Sequence, residues 1–223
     1  MAKKKTLRTI PQERTPMPVQ DPRLRIKNFA EVAGGFRLED ALNESERCLL
    51  CPEAFCVPGC PVEIDIPGFI QKISEKDFRG AYDILTDANL LPAICGRVCP
   101  QEDQCEGICT VGDTLAPVAI GRLERWVGDL AIEKGWANVP YIEPNRFKVG
   151  IIGSGPAGMA CAADMAKAGC GVTIYEALHQ PGGVLRYGVP EFRLPNAVID
   201  AELENLTRLG VKIECNTLVG RLF

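Results

Sequence analysis

Histidine is almost absent from this chain. His179 stands alone in a loop-forming stretch, with no neighbour that would make it a base. No other side chain stands out as a general acid, base or nucleophile, so no catalytic residue is assigned. Long apolar runs are missing too, none approaching the ~18 residues that a membrane span needs. The opening Met1-Ala-Lys-Lys-Lys-Thr lacks the apolar core of a signal peptide, which predicts a cytoplasmic chain. An excess of one charge is also lacking. The formal net charge of −4 gives no overall pull toward nucleic acid or anionic membrane. Lys3, Lys4 and Lys5 read as a solvated tail.

Cysteine, by contrast, is abundant. Of 11 cysteines, those from Cys48 to Cys109 fall into two runs. The first is Cys48-x-x-Cys51-x4-Cys56-x3-Cys60-Pro61, the second Cys95-x3-Cys99-Pro100-x5-Cys105-x3-Cys109. Such thiols close disulfides, bind zinc or hold iron–sulfur clusters. Disulfides are rare in a reducing compartment. Zinc takes four thiolates from short Cys-x-x-Cys loops and stays as an alternative, in a non-enzymatic binding module. The first run partly follows the ferredoxin pattern, in which a closing Cys-Pro cysteine ligates the other cluster, although its middle spacing is longer. Two 4Fe–4S clusters require the number of ligand-type residues present, and a redox-type domain follows directly.

Pro11, Pro16 and Pro18 mark residues 1–20 as an extended arm. Residues 21–139 read as a helical domain. Asp21-Pro22 predicts a helix carrying Leu24, Ile26, Phe29 and Val32 and stopped by Gly34-Gly35. Further helices are expected from Leu38 toward Cys48, over Ile66 to Ile73, and from Phe78 to about Asn89. Val118 to Lys134 has the helical period on Ile120, Leu123, Val127, Leu130 and Ala131. Glu124 falls inside that apolar stripe, where a carboxylate is costly unless paired or bound to metal. Residues 140–146 read as a linker.

From Phe147 the pattern changes to β-α-β, so residues 147–223 are expected to be an α/β Rossmann-like domain. Lys148 to Ile152 reads as a short buried strand leading into Gly153-Ser-Gly155-Pro156-Ala157-Gly158 and a helix. Glu176 closes the next strand about 20 residues on, as a dinucleotide-binding fingerprint requires. The glycines serve the tight turn, the approach of pyrophosphate and helix–strand packing. The pyrophosphate is expected at the helix N-terminus. Glu176 accepts from a ribose and repels a 2′-phosphate, which disfavours NADP at this loop; FAD and NAD both fit it. Cys161, Cys170 and Cys215 read as packing residues.

Pro16 through Phe223 resembles the pyridine-nucleotide-linked iron–sulfur flavoproteins. These include the small subunit of NADPH-dependent glutamate synthase, the large subunit of NADH-dependent ferredoxin:NADP oxidoreductase, and the N-terminal part of dihydropyrimidine dehydrogenase. The resemblance is carried by Arg47-Cys-Leu-Leu-Cys51, Cys60-Pro-Val-Glu-Ile-Asp-Ile-Pro67, Ile94-Cys-Gly-Arg-Val-Cys-Pro100, Gly153 to Gly158, and Phe192-Arg-Leu-Pro195. It implies one cluster on Cys48, Cys51, Cys56 and Cys109, and a second on Cys60, Cys99, Cys105 and Glu124. Cys95 is then left without iron. Independently, the helical stripe had already singled out Glu124.

The same resemblance implies FAD at the glycine loop, with Gly183, Val184, Arg193 and Val219 lining it and Arg186 undecided. It implies that NADPH binds a second dinucleotide fold further on, so the chain is expected to be C-terminally truncated, with an exposed sheet edge. A flavin exchanges hydride for single electrons, and clusters carry them singly. The expected activity is therefore an electron-input module, feeding a glutamate synthase large subunit that forms glutamate from 2-oxoglutarate and glutamine. Another redox partner, as in an NAD(P)H:ferredoxin or sulfide-linked oxidoreductase, or a homo-oligomer is the alternative.

Overall fold

Acidic caps start two of the helices that the apolar periods predicted. The computed structural model describes residues 10–137, 139 and 141–220. The tail Lys3–Lys5, the first nine residues of the arm, Pro140 of the linker and the last three residues lie outside them. Asp65 accepts from the Gly68 N–H at 3.0 Å and opens α3 (Ile66–Ser74). Asp77 does the same for Gly80 at 3.0 Å and opens α4 (Phe78–Ala88). These helices bury Phe69, Ile70, Ile73, Tyr82 and Leu85 against α2 (Leu38–Ser45) and α6 (Ile120–Lys134). Gly135 ends α6 at φ 65°, a left-handed cap that glycine adopts without strain.

The predicted helix over residues 22–33 is not formed. Only α1 (Pro22–Arg25) is helical, and Leu24, Ile26 and Phe29 are exposed. Their spacing departs from the 3.6-residue period. The segment instead folds back through an antiparallel bridge between Val19 and Ala33. Conversely, α5 (Pro92–Val98) forms at the start of the second cysteine run, where no helix was expected. It packs directly on α6, because Gly96 and Gly128 have no side chains. A Cβ at Gly96 would stand 2.4 Å from the Arg125 backbone nitrogen, and one at Gly128 2.6 Å from that of Ala93.

The second unit is a parallel sheet in the order β1-β2-β3, formed by Lys148–Ile152, Gly171–Tyr175 and Lys212–Glu214. Ile151 pairs with Ile174, and Ile174 with Ile213. Helices α7 (Pro156–Lys167) and α9 (Asn196–Arg208), with the single turn α8 (Val184–Tyr187) between them in the chain, supply Met159, Ala163, Ile199 and Leu206 to its core. β1 is an edge strand, not a buried one: Lys148, Gly150 and Ile152 are exposed. Cys170, half-buried, packs against this core as expected, whereas Cys161 is exposed and Cys215 only half-buried. The second core includes Leu91 and Ile94 of the α5 segment, so the two units share it. Among the described residues no helix is long and apolar enough to cross a membrane.

Candidate functional site

The first cysteine run leaves α2 and turns sharply. Leu50, between Cys48 and Cys51, has φ 51°, a left-handed conformation that costs a non-glycine residue energy. The turn brings Cys48, Cys51, Cys56 and Cys109 around one cavity whose apolar wall includes Ile66, Ile70, Val118 and Ile120. Burial pushes the Cys56 thiol up to about 12, and the nearby sulfurs of Cys109, Cys48 and Cys51 push the same way. A cationic centre among them would favour the Cys56 thiolate, which fits a thiolate-bound metal cluster.

Cys60 ends the first run yet faces the second. Burial, then the charges of Glu106, Glu124 and Cys60, push Cys105 up to about 12. Glu124, on α6, is raised to about 8 by burial first and by Cys99 second. Cys60, Cys99, Cys105 and Glu124 therefore form a second electrostatically connected set, and Cys95, which Glu124 and Cys99 also reach, belongs to it. The Cys95 thiol is held protonated by a hydrogen bond with Cys99 and by burial, while Cys99 is lowered by the same bond. Among the described residues, no group of three or more His, Cys, Asp or Glu side chains is placed to hold a single metal ion.

Several polar residues that support these sets had no role assigned from the sequence. Asn89, at the end of α4, donates Nδ2–H to Glu124 Oε1 at 2.7 Å. Glu44 and Arg47 form a fully buried pair at 2.8 Å. Arg47 donates to the Ala116 carbonyl and, at 3.1 Å, to that of Pro117. Glu44 accepts from the Ala119 N–H at 2.8 Å, so the pair fixes the approach to α6. Glu106 accepts from the Gly121 N–H at 3.0 Å and pairs with Arg14. An i,i+3 acid–base pair such as Glu44–Arg47 is visible in a sequence, but its burial is not.

The three loop glycines differ in surroundings. Gly153 has φ 94°, and neither it nor Gly155 has any atom within 4 Å of where a Cβ would stand. A Cβ at Gly158 would lie 2.1 Å from the Gly153 carbonyl oxygen, so only glycine lets α7 start against β1. Pro156 is the first residue of α7 and Ala157 is exposed. Open backbone at a helix N-terminus suits a phosphate. Gly183, at φ 53°, abuts the loop: its Cβ would stand 2.7 Å from the Gly155 Cα. Ser154 Oγ accepts from the Gly182 N–H at 2.9 Å and joins the two turns.

Glu176 is buried, and its Oε2 accepts from Ser154 N–H at 2.9 Å and Ser154 Oγ–H at 2.5 Å. Its Oε1 accepts from Leu178 N–H at 2.8 Å, and the Ala177 N–H also bonds the carboxylate. Burial raises its pKa, but the bonds from Ser154 and the backbone outweigh it and hold the carboxylate below its ordinary value. Val184 and Val219 are exposed. Arg193 lies away on the seam between the units. There it lines a cleft of about 600 Å³ with Arg25, Arg97, Arg122 and Arg125. Arg186 is tied down locally, donating to the Pro181 carbonyl at 2.7 Å and pairing with Asp200. His179 does have a partner, since its Nδ1 is 3.4 Å from the Tyr187 hydroxyl.

The family described as dihydropyrimidine dehydrogenase domain II, 4Fe-4S cluster, matches residues 25–136. An NAD(P)-binding Rossmann-like domain matches residues 151–210. The NAD-dependent dihydropyrimidine dehydrogenase subunit PreT of Escherichia coli (strain K12) is 43% identical over 180 residues, 81% of this chain and 44% of that protein. The glutamate synthase [NADPH] small chain of the same strain is 35% identical over 210 residues, covering 94% and 44%. The putative oxidoreductase UacF, also of that strain, is 38% identical over 199 residues, covering 88% and 31%. The chain thus spans less than half the length of these relatives.

Proposed function

Because the chain belongs to the 4Fe–4S family of dihydropyrimidine dehydrogenase domain II, we propose that it is the electron-input module of a glutamate synthase-like oxidoreductase. It has a helical 4Fe–4S domain and an NAD(P)-binding Rossmann-like domain, and its relatives are oxidoreductases. In this reading residues 21–139 are the cluster unit, 140–146 the link and 147–223 the flavin unit. Cys48, Cys51, Cys56 and Cys109 hold one 4Fe–4S cluster, and Cys60, Cys99, Cys105 and Glu124 hold another. Gly153, Gly155 and the start of α7 receive the pyrophosphate of FAD, and Glu176 faces its ribose. When bound, the flavin supplies the exchange between NADPH hydride chemistry and single-electron transfer, and the clusters supply the one-electron carriers.

The observation that carries this reading is Glu124. A carboxylate buried at 7% exposure on an apolar helix face, beside Cys99 and Cys105, has a reason to be there if it binds metal. Four cysteines that line one cavity, within a chain of the 4Fe–4S family, support a cluster there. The terminal acceptor in this proposal is a glutamate synthase large subunit. A dihydropyrimidine dehydrogenase-type partner is a second reading, favoured by the higher identity to that subunit, 43% against 35%.

Iron, acid-labile sulfide and flavin analysis of the purified chain tests the cofactor content; colourless protein with stoichiometric zinc ends the redox reading. Glu124→Ala should alter the EPR signal of one reduced cluster, whereas Cys95→Ser leaves both clusters in place. The opposite pattern exchanges the two assignments.

A further inference from the structure

Asn89 belongs to neither donor set and follows the last residue of α4, yet it is buried at 8% exposure. Its Oδ1 accepts from the Leu91 N–H at 3.0 Å, and the Cys95 sulfur lies 3.6 Å from it. A backbone N–H only donates, so the atom facing Leu91 is the amide oxygen, and the NH₂ group must face Glu124. The bond from Nδ2 to Glu124 Oε1 is 2.7 Å long. It joins residues 35 positions apart and bridges the α4–α5 turn to the middle of α6.

We propose that Asn89 is a positioning residue for Glu124: its amide clamps one carboxylate oxygen, presents the other to the cluster, and so tunes that cluster's electronic structure. This rests on the reading that Glu124 is a ligand. A ligating carboxylate has rotatable torsions, and a donor fixed by its own backbone turn removes that freedom. Leu91 N–H fixes the rotamer of Asn89, and Asn89 in turn fixes Glu124. The sulfur of Cys95, itself not a ligand in this scheme, lies 3.6 Å from the same Oδ1, and Cys95 hydrogen-bonds Cys99, so one turn touches two of the four donors. Partners of this kind typically change metal affinity about 10–100-fold when removed.

Asn89→Ser separates the two tasks of the side chain. A serine hydroxyl can still accept from the N–H two residues on, but it is too short to reach Glu124, and it adds no charge. The test uses the whole chain purified with its cofactors, with EPR of the reduced protein, redox titration, chelator-driven iron release and circular dichroism as readouts. One cluster should show a changed EPR signal and potential and release iron about tenfold faster, the other cluster being unaltered, with helical content retained. Loss of that cluster alone, leaving about four irons per chain, supports the proposal equally. In a Glu124→Ala background, Asn89→Ser should add nothing, since the two changes remove one interaction. Wild-type EPR, potential and release rate for Asn89→Ser overturn it, as does equal loss of both clusters with loss of helix, which marks a purely structural turn residue. If Glu124→Ala itself changes neither cluster, the ligand reading has failed instead, and the two failures are told apart.

Discussion

Gly155 and Gly158 stand on the same turn with different freedom. The Gly155 position is open, its φ of −66° suits any residue, and a methyl group there would meet no protein atom. Gly155→Ala should therefore fold with a melting temperature near wild type but lose flavin, because the methyl occupies the space offered to the pyrophosphate. Gly158→Ala drives a Cβ to 2.1 Å from the Gly153 carbonyl. It should lose flavin and also about 1–3 kcal/mol of stability, as overpacking does. Thermal melting and flavin absorbance on both variants separate the two effects. The glycine turn itself was legible, since β1 does lead through it into α7. Glu124 was legible too, as a charge out of place in a helical stripe. Asn89 and Glu202 were not, because a polar residue in a helix reads as solvated until a partner 35 or 109 positions away is known.

The element least visible in the sequence is α5. Pro92-Ala-Ile-Cys-Gly-Arg-Val98 is short, contains Gly and Pro, and has no periodic stripe long enough to separate helix from loop. It is helical because Pro92 starts it and because Gly96 and Gly128 allow its backbone onto that of α6. The 22–33 segment errs the other way: a loose apolar series suggested a helix, and the chain formed an exposed turn. Gly128→Ala tests the packing. Its Cβ would strike the Ala93 backbone and push α5, which leads into Cys99, away from Glu124. The expected result is a loss of about 1–3 kcal/mol together with faster iron release from one cluster only. Gly112→Ala is the control, since its Cβ would make ordinary contact with Pro117 at 3.6 Å. Equal iron release from both clusters in Gly128→Ala would show that α5 does not single out one site.

Across the whole molecule, the change from helical period to β-α-β pattern was readable near Phe147, but the joint between the units was not. Lys167 Nζ donates to the Thr86 carbonyl at 2.8 Å, and Val32 N–H to that of Phe192 at 3.0 Å. Arg97 and Arg125 share Glu31 and Asp129, bracing α5 and α6 beneath the seam. At its centre Glu202 of α9 accepts from the Ala93 N–H of α5 at 3.0 Å and from Asn205 at 3.2 Å. Burial pushes Glu202 up to about 7 from an ordinary 4.5, with Asp129 pushing the same way and Ala93, Asn205 and Arg97 opposing. The folded state then binds this proton more tightly than the unfolded chain does. Its contribution is greatest below pH 4.5, falls as pH rises toward 7, and is flat beyond. The fall amounts to roughly 3 kcal/mol. Glu202→Gln keeps an oxygen for the Ala93 N–H and cannot ionise, so it should lack this fall and melt higher than wild type at pH 8. The two proteins should converge near pH 4.5, where the native carboxyl is protonated in the fold. Melting curves of both cofactor-loaded proteins at pH 5 and pH 8 decide the matter: a constant difference between them would mean that Glu202 stays ionised in the joint.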